Sequence, residues 1–391
     1  MANSTRERPR IIVFGILFWY PLAGVTYQFL HFLLGLQRLG FDPWYVEDSA
    51  RWVYSPSLGD CTPDADENIN TVAAIMAAHG LADRWIFNGH YEGGKCYGQS
   101  AGKLADLYQT ADIMLNVTGS QELRTEHLRC PVRVYLETDP VVSQIQIAAG
   151  NKDVIAALDS HTHHFTYGEN LGKPGCLLPA GRYNWRPTRQ PVVLDIWDSP
   201  PENAGPAFNT IATWKNAGRD IVYRGETYYW SKDREFLKFL DVPGRTGDSF
   251  ELATIADEPT HRLLKSKGWL LQDPVHISRD MIRYRDYIRG SRGEFSVAKD
   301  QNIRLKSGWF SDRSACYLAA GRPVINQETG FSNHLPTGRG LFGFQNIEDI
   351  ERAIVEIRRD YAGNCRAARD IAEEYFAAEK VLGDVLRQIG A

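Results

Sequence analysis

Apolar residues in the first fifty positions change rhythm twice. Ile11 to Phe18 is an unbroken apolar run of strand length, the pattern of a strand covered on both faces. After a loop from Trp19 to Gly24, the apolar positions become Phe29, Phe32, Leu33, Leu36 and Leu39, a helical spacing that Gly40 ends. Trp44 to Val46 then predicts a second strand, and a strand–helix–strand unit of this length pairs in parallel. Ile113 to Val117, Val132 to Leu136 and Phe165 to Tyr167 continue the alternation. A polar stretch interrupted by prolines and glycine, Leu178 to Pro191, predicts a linker. Beyond it, strands are expected at Val192 to Trp197, Ile221 to Tyr223, Phe250 to Ile255, Trp269 to Leu271, Pro323 to Asn326 and Leu341 to Phe344. Ile350, Ala353, Ile354 and Ile357 share one helical face, and Ile371, Tyr375, Ala378, Leu382, Val385 and Ile389 share another. The pattern predicts an α/β protein of two successive halves with a cleft between them, with ligands held beyond the carboxyl ends of the strands.

Composition narrows the function classes. In 391 residues the apolar fraction is 43% and the charged fraction 24%, which excludes a disordered chain and supplies two cores. Lys and Arg number 44 against 48 Asp and Glu, a net charge of −4, so a nucleic-acid acceptor or partner is not favoured. No two of Cys61, Cys96, Cys130, Cys176, Cys316 and Cys365 lie within four residues of each other, so no close metal knuckle or redox pair is expected. Reduced thiols in a cytoplasmic protein are the expectation. The apolar stretch Ile11 to Leu39 is broken by Pro21 and Gly24 and carries Gln28, His31, Gln37 and Arg38, so no membrane span is expected. His161, His163 and His164 are expected to be exposed loop residues, and no metal site is expected.

The chemistry concentrates in Gly293 to Gly343. Ser311 is placed to cap a short helix between Phe310 and Ala320, Gly321 suits the position after it, and Pro323 prevents its continuation. The first N–H groups of such a helix lack intrahelical partners, so Ser311, Asp312, Arg313 and Ser314 mark an anion site. Arg313 adds bidentate donors, and Lys299, Arg304 and Lys306 lie just upstream. A diphosphate is the natural ligand of that set.

This helix, with Gly321-Arg322-Pro323-Val324, a strand and the polar loop Gln327-Glu328-Thr329-Gly330-Phe331, resembles the C-terminal donor-binding region of GT-B glycosyltransferases. The resemblance covers nearly the whole chain. It implies two Rossmann-like α/β/α domains facing a cleft: an N-terminal acceptor domain (1–186), a nucleotide-sugar-binding domain (187–362), and a last helix (363–391) crossing back to the first domain. It also implies a nucleoside-diphosphate sugar as co-substrate, with no other cofactor; no obligatory divalent ion is expected. The loop ending at Gly24 would donate backbone N–H groups to the diphosphate. Glu328, Thr329, Gly330 and Phe331 would face the sugar hydroxyls. Many retaining members carry two glutamates at the positions of Gly308 and Cys316, so both carboxylates are missing here, Asp312 is the replacement candidate, and the stereochemical outcome stays unassigned. Asp139, after the strand Val132 to Leu136, and His90 are the candidate catalytic residues, with Asp48 a weaker third. The acceptor and the oligomeric state are open. The alternatives are an NAD(P)-dependent oxidoreductase, with Glu47 or Asp48 holding a ribose, and a non-catalytic nucleotide-sugar-binding protein.

Overall fold

A computed structural model describes residues 8–90, 93–216 and 218–391. The chain divides into two compact units. One holds the described residues up to Thr138, with Lys152–Phe165 and Leu382–Ala391; the other holds Asp139–Asn151 and Thr166–Val381.

The first unit is built on a sheet whose strands run in the order His163–Thr166, Val132–Glu137, Ile113–Val117, Arg10–Phe14, Asp42–Glu47, Trp85–Gly89 and Lys95–Tyr97. The pairings from Val132–Glu137 through Trp85–Gly89 are parallel. Arg10–Phe14 lies at its centre, and Ile11 to Phe14 are fully buried. This strand stops four residues short of the apolar run because Glu47 pulls the following turn in. The Glu47 carboxylate accepts from Phe18 N at 2.7 Å, Trp19 N at 2.8 Å and the Tyr45 hydroxyl at 2.9 Å. The helix Ala23–Arg38 then packs so closely that a Cβ on Gly15 would meet the Phe29 ring at 2.1 Å.

Burial raises the Glu47 carboxyl to about 7, against the pull of its three hydrogen bonds. The native state therefore holds a proton that the unfolded chain releases at its ordinary, lower pKa. That contribution is fully present below the ordinary glutamate range and is lost as pH rises through about 7. Thermal melts across this window should show stability falling as pH rises. In Glu47→Gln that slope should disappear, and overall stability should drop by about 1–3 kcal/mol because an amide cannot accept from all three donors.

The second unit carries a six-stranded sheet, Trp269–Gln272, Ser249–Ala253, Ala207–Ile211, Gly293–Ser296, Val324–Gln327, Leu341–Phe344, in that order. Every pairing in it is parallel. Its core joins Phe208, Phe250, Trp269, Phe295, Ile325 and Phe344 to Ile350, Ile354 and Ile357 of the helix Ile347–Arg359.

Several expectations change. Val192 to Trp197 is not a strand: Val192 makes one bridge to Ala377, and Leu194–Trp197 is a 3-10 turn that buries Trp197. Ile221–Tyr223 is a strand, but in a separate antiparallel hairpin with Glu226–Tyr228. His161 and His164 are buried rather than exposed. Burial holds His161 down at about 4, and its ring contacts Asn116 and the Ala157 carbonyl. Among the described residues, no helix is long and apolar enough to cross a membrane.

Candidate functional site

Three adjacent strands of the second sheet, Ala207–Ile211, Gly293–Ser296 and Val324–Gln327, end at the same edge. The segments leaving them bring the charged groups together. Lys299, three residues past the second strand, places Nζ 2.6 Å from Asp139 Oδ2 and 3.1 Å from the centre of the Trp230 ring. Its side chain is only 14% exposed. Lys232 comes from the segment after the first strand and sits just before the helix Asp233–Lys238. Its ammonium is held well below the ordinary lysine range, first by lost hydration, then by the charges of Arg313 and Lys299; Glu294 and Asp139 oppose this. Burial also lowers Lys299, against the pull of Asp139. Three cations thus share a confined space with two carboxylates, and an entering anion would improve that balance.

The helix Asp312–Ala319 begins at Ser311, as its cap position predicts. The Ser311 hydroxyl makes no capping bond, so the first-turn N–H groups have no side-chain acceptor from it. Ser314 points inward, fully buried, with a hydroxyl that has no hydrogen-bond partner among the described residues. Asp312, in the same turn, acts electrostatically on Tyr167 and Cys316.

Arg313 departs from the expected role. Its Nε donates to Glu294 Oε1 at 2.7 Å, Nη1 to the Ile211 carbonyl at 2.6 Å, and Nη2 to Ser296 Oγ at 2.9 Å. Glu294 is fully buried, so the guanidinium serves as its counter-ion and ties two strand ends together. It contributes field to the site, while its donors are directed at the protein.

The loop after Val324–Gln327 is also self-bonded. The Thr329 hydroxyl donates to the Trp309 carbonyl at 2.6 Å, and Gly308 N donates to the Thr329 carbonyl at 2.8 Å. Gly308 has φ +77°, and a Cβ there would meet Asn170 N at 2.8 Å, which explains why a glycine replaces the expected carboxylate. Glu328 Oε1 accepts from Gly330 N at 2.6 Å, and Phe331 is buried edge-on against Phe310. Glu328, Gly330, Lys306, Asn170, Ser332 and Gln345 border a cavity of about 540 Å³. Asn170 braces it, donating to the carbonyls of Lys306 and Gly330 at 3.1 Å each.

The remaining candidates lie in the first unit. Gly24 is not in a loop but in the first turn of Ala23–Arg38, whose cap Leu22 makes no side-chain bond. His90 Nε2 lies 2.5 Å from Asp48 Oδ1. Asp48 is 1% exposed and also takes Asn88 Nδ2, the Tyr108 hydroxyl (both 2.8 Å) and Arg124. This carboxylate orients a histidine at the carboxyl end of the sheet. Glu47 and Asp48, the ribose candidates of the dinucleotide alternative, are both fully engaged with protein groups.

No family model and no curated protein matches the chain. Solved structures do. An alpha-glucosyltransferase in complex with UDP and a 13-mer DNA containing an HMU base superposes with a TM-score of 0.58 at 10% identity, covering 98% of this chain and 100% of that one. Sucrose-phosphate synthase from Thermosynechococcus elongatus gives 0.55 at 12% identity, covering 98% and 99%. HepE from Anabaena, in complex with UDP and glucose, gives 0.53 at 9% identity with the same coverage. The chain has the GT-B fold. At such identities the likeness is one of architecture.

Lys232, Glu294 and Asn170 were not found from the sequence. They sit in polar stretches without periodicity, and only the order of the strands brings Lys232 and Glu294 to the same place.

Proposed function

We propose that this protein is a glycosyltransferase that moves a sugar from a nucleoside-diphosphate sugar to a hydroxyl-bearing acceptor. One observation carries the reading: on a GT-B scaffold, Lys232 and Lys299 converge with the start of the helix Asp312–Ala319 in a space where the ammonium of Lys232 makes no ion pair among the described residues. In the transfer, the bond from the anomeric carbon to the phosphate oxygen breaks and the departing diphosphate keeps its electron pair. The cations and the amides of residues 312–314 would stabilise that charge, and the site is preorganised for it. The UDP in five of the matched structures' names supports a uridine donor. The cavity bordered by Glu328 and Gly330 would take the sugar, and the amides at Gly24 would approach the diphosphate. With six free cysteines, we place the reaction in the cytoplasm.

We assign the acceptor's proton to His90, oriented by Asp48. His90→Gln should lower transfer by about a hundredfold or more while UDP binding stays within about twofold. Wild-type rates in this variant would remove the assignment. One neighbour was solved with DNA, but the net charge of −4 disfavours a long nucleic-acid acceptor here. The class itself is tested by incubating the purified protein with a panel of sugar nucleotides. Release of a nucleoside diphosphate that depends on Lys299 supports it, and no turnover or binding with any member contradicts it.

A further inference from the structure

The contact between Lys299 and Asp139 does more than neutralise a charge. Asp139 reaches Lys299 from a short segment, Asp139–Asn151, that groups with the second unit. Two residues on, Val141 is fully buried with φ 106°, and its N–H donates to Gln144 Oε1 at 2.7 Å, which pins the segment in place. Among the described residues only one carboxylate oxygen of Asp139 is used: Oδ2 sits on Lys299, while Oδ1 is buried with no hydrogen-bond partner. A buried carboxylate oxygen without a donor is costly, so the contact is not a finished internal salt bridge. It differs in this from Arg313, whose three nitrogens all reach acceptors. Trp230 covers another side of the ammonium at 3.1 Å. The carboxylate therefore occupies a position from which an anionic oxygen would contact Lys299.

We infer that Asp139 is a stand-in anion: its carboxylate occupies the place of a donor phosphate oxygen on Lys299, and the arriving diphosphate must displace it. This rests on the donor-site reading above and adds to it a competition within the site. Donor affinity is set by the difference between phosphate and carboxylate on the same ammonium. Releasing the diphosphate lets the carboxylate return, which favours product departure. The freed carboxylate also appears only when donor is bound, so that donor binding changes the charge next to the reacting centre.

The sign of the effect separates this from an ordinary supporting role. A residue that merely holds Lys299 in place should weaken donor binding when removed. A competitor should strengthen it. Asp139→Asn keeps the shape and removes the charge, and UDP titrated by calorimetry should bind it about fivefold or more tightly than wild type, the scale of a partly exposed ion pair. The UDP dissociation rate should fall in step. Asp139→Ala should show the same direction, which guards against a specific fault of the amide, and thermal melts of both variants identify any loss of fold. Equal or weaker UDP binding by folded Asp139→Asn and Asp139→Ala overturns the inference and leaves the donor site standing. Failure of wild type and both variants to bind UDP or any other nucleoside diphosphate overturns both.

Discussion

Replacing Lys232 by methionine is expected to weaken UDP binding and donor turnover by about a hundredfold without unfolding the protein. Lys232 makes no ion pair among the described residues, and the charges around it raise the cost of keeping its proton. In the empty protein its removal therefore takes away an unfavourable ammonium, and stability should hold or rise slightly. In the complex the same residue would meet a diphosphate oxygen in a space largely shielded from water, where a charge-assisted bond counts for more than it does on a surface. Function and stability thus move in opposite directions, the signature of a binding group held in readiness rather than of a packing residue. Calorimetric UDP titration and a melting curve on the same preparation check both signs.

The largest effect on stability should come from Arg313→Ala. The substitution strands Glu294, which is fully buried and, among the described residues, has only the Thr210 hydroxyl left as a donor, at 3.3 Å. Breaking a buried pair from one side costs about 3–5 kcal/mol. It also frees the Ile211 carbonyl and Ser296 Oγ, so two strand ends that border the site lose their tie. Loss of activity in this variant would accordingly report a loosened floor rather than a lost phosphate ligand. The double variant Arg313→Met with Glu294→Leu removes both charges, and urea denaturation should find most of the stability recovered. If Arg313→Ala alone is as stable as wild type, the guanidinium is not the counter-ion described here.

Much of the architecture is legible in the chain because long apolar runs mark buried parallel strands. Ile113–Val117, Val132–Glu137 and Leu341–Phe344 lie within a residue of where the pattern puts them. Of the strands that escaped, two are central to the second sheet. Ala207–Ile211 carries Asn209 and Thr210, and Gly293–Ser296 carries Glu294 and Ser296; these break any apolar run. They are buried because partners reach them from elsewhere in the sequence. Tyr317 donates to Asn209 Oδ1 at 2.6 Å, and Arg313 pairs with Glu294. Local pattern fails where the fold serves a site, since polar groups there are satisfied by residues distant in sequence.

The candidate site divides the same way. The helix start at Ser311 and the left-handed Gly321 after its end follow from local rules of capping and positive φ, and both lie where the sequence puts them. The roles of Arg313, Glu328 and Thr329 depend on what lies across the sheet edge. There the sequence suggested ligand contacts, whereas Glu294, Gly330 N and the Trp309 carbonyl take up their side chains. Lys232 lies 67 residues before Lys299, and nothing in its neighbours signals that the two converge.

A crystal structure of the protein with UDP bound tests the central claim most directly. The account predicts the diphosphate within hydrogen-bonding distance of Lys232 Nζ, Lys299 Nζ and the backbone N–H groups of residues 312–314, with Asp139 turned off Lys299. A diphosphate bound elsewhere, with the Lys299–Asp139 contact still closed at 2.6 Å, would contradict it.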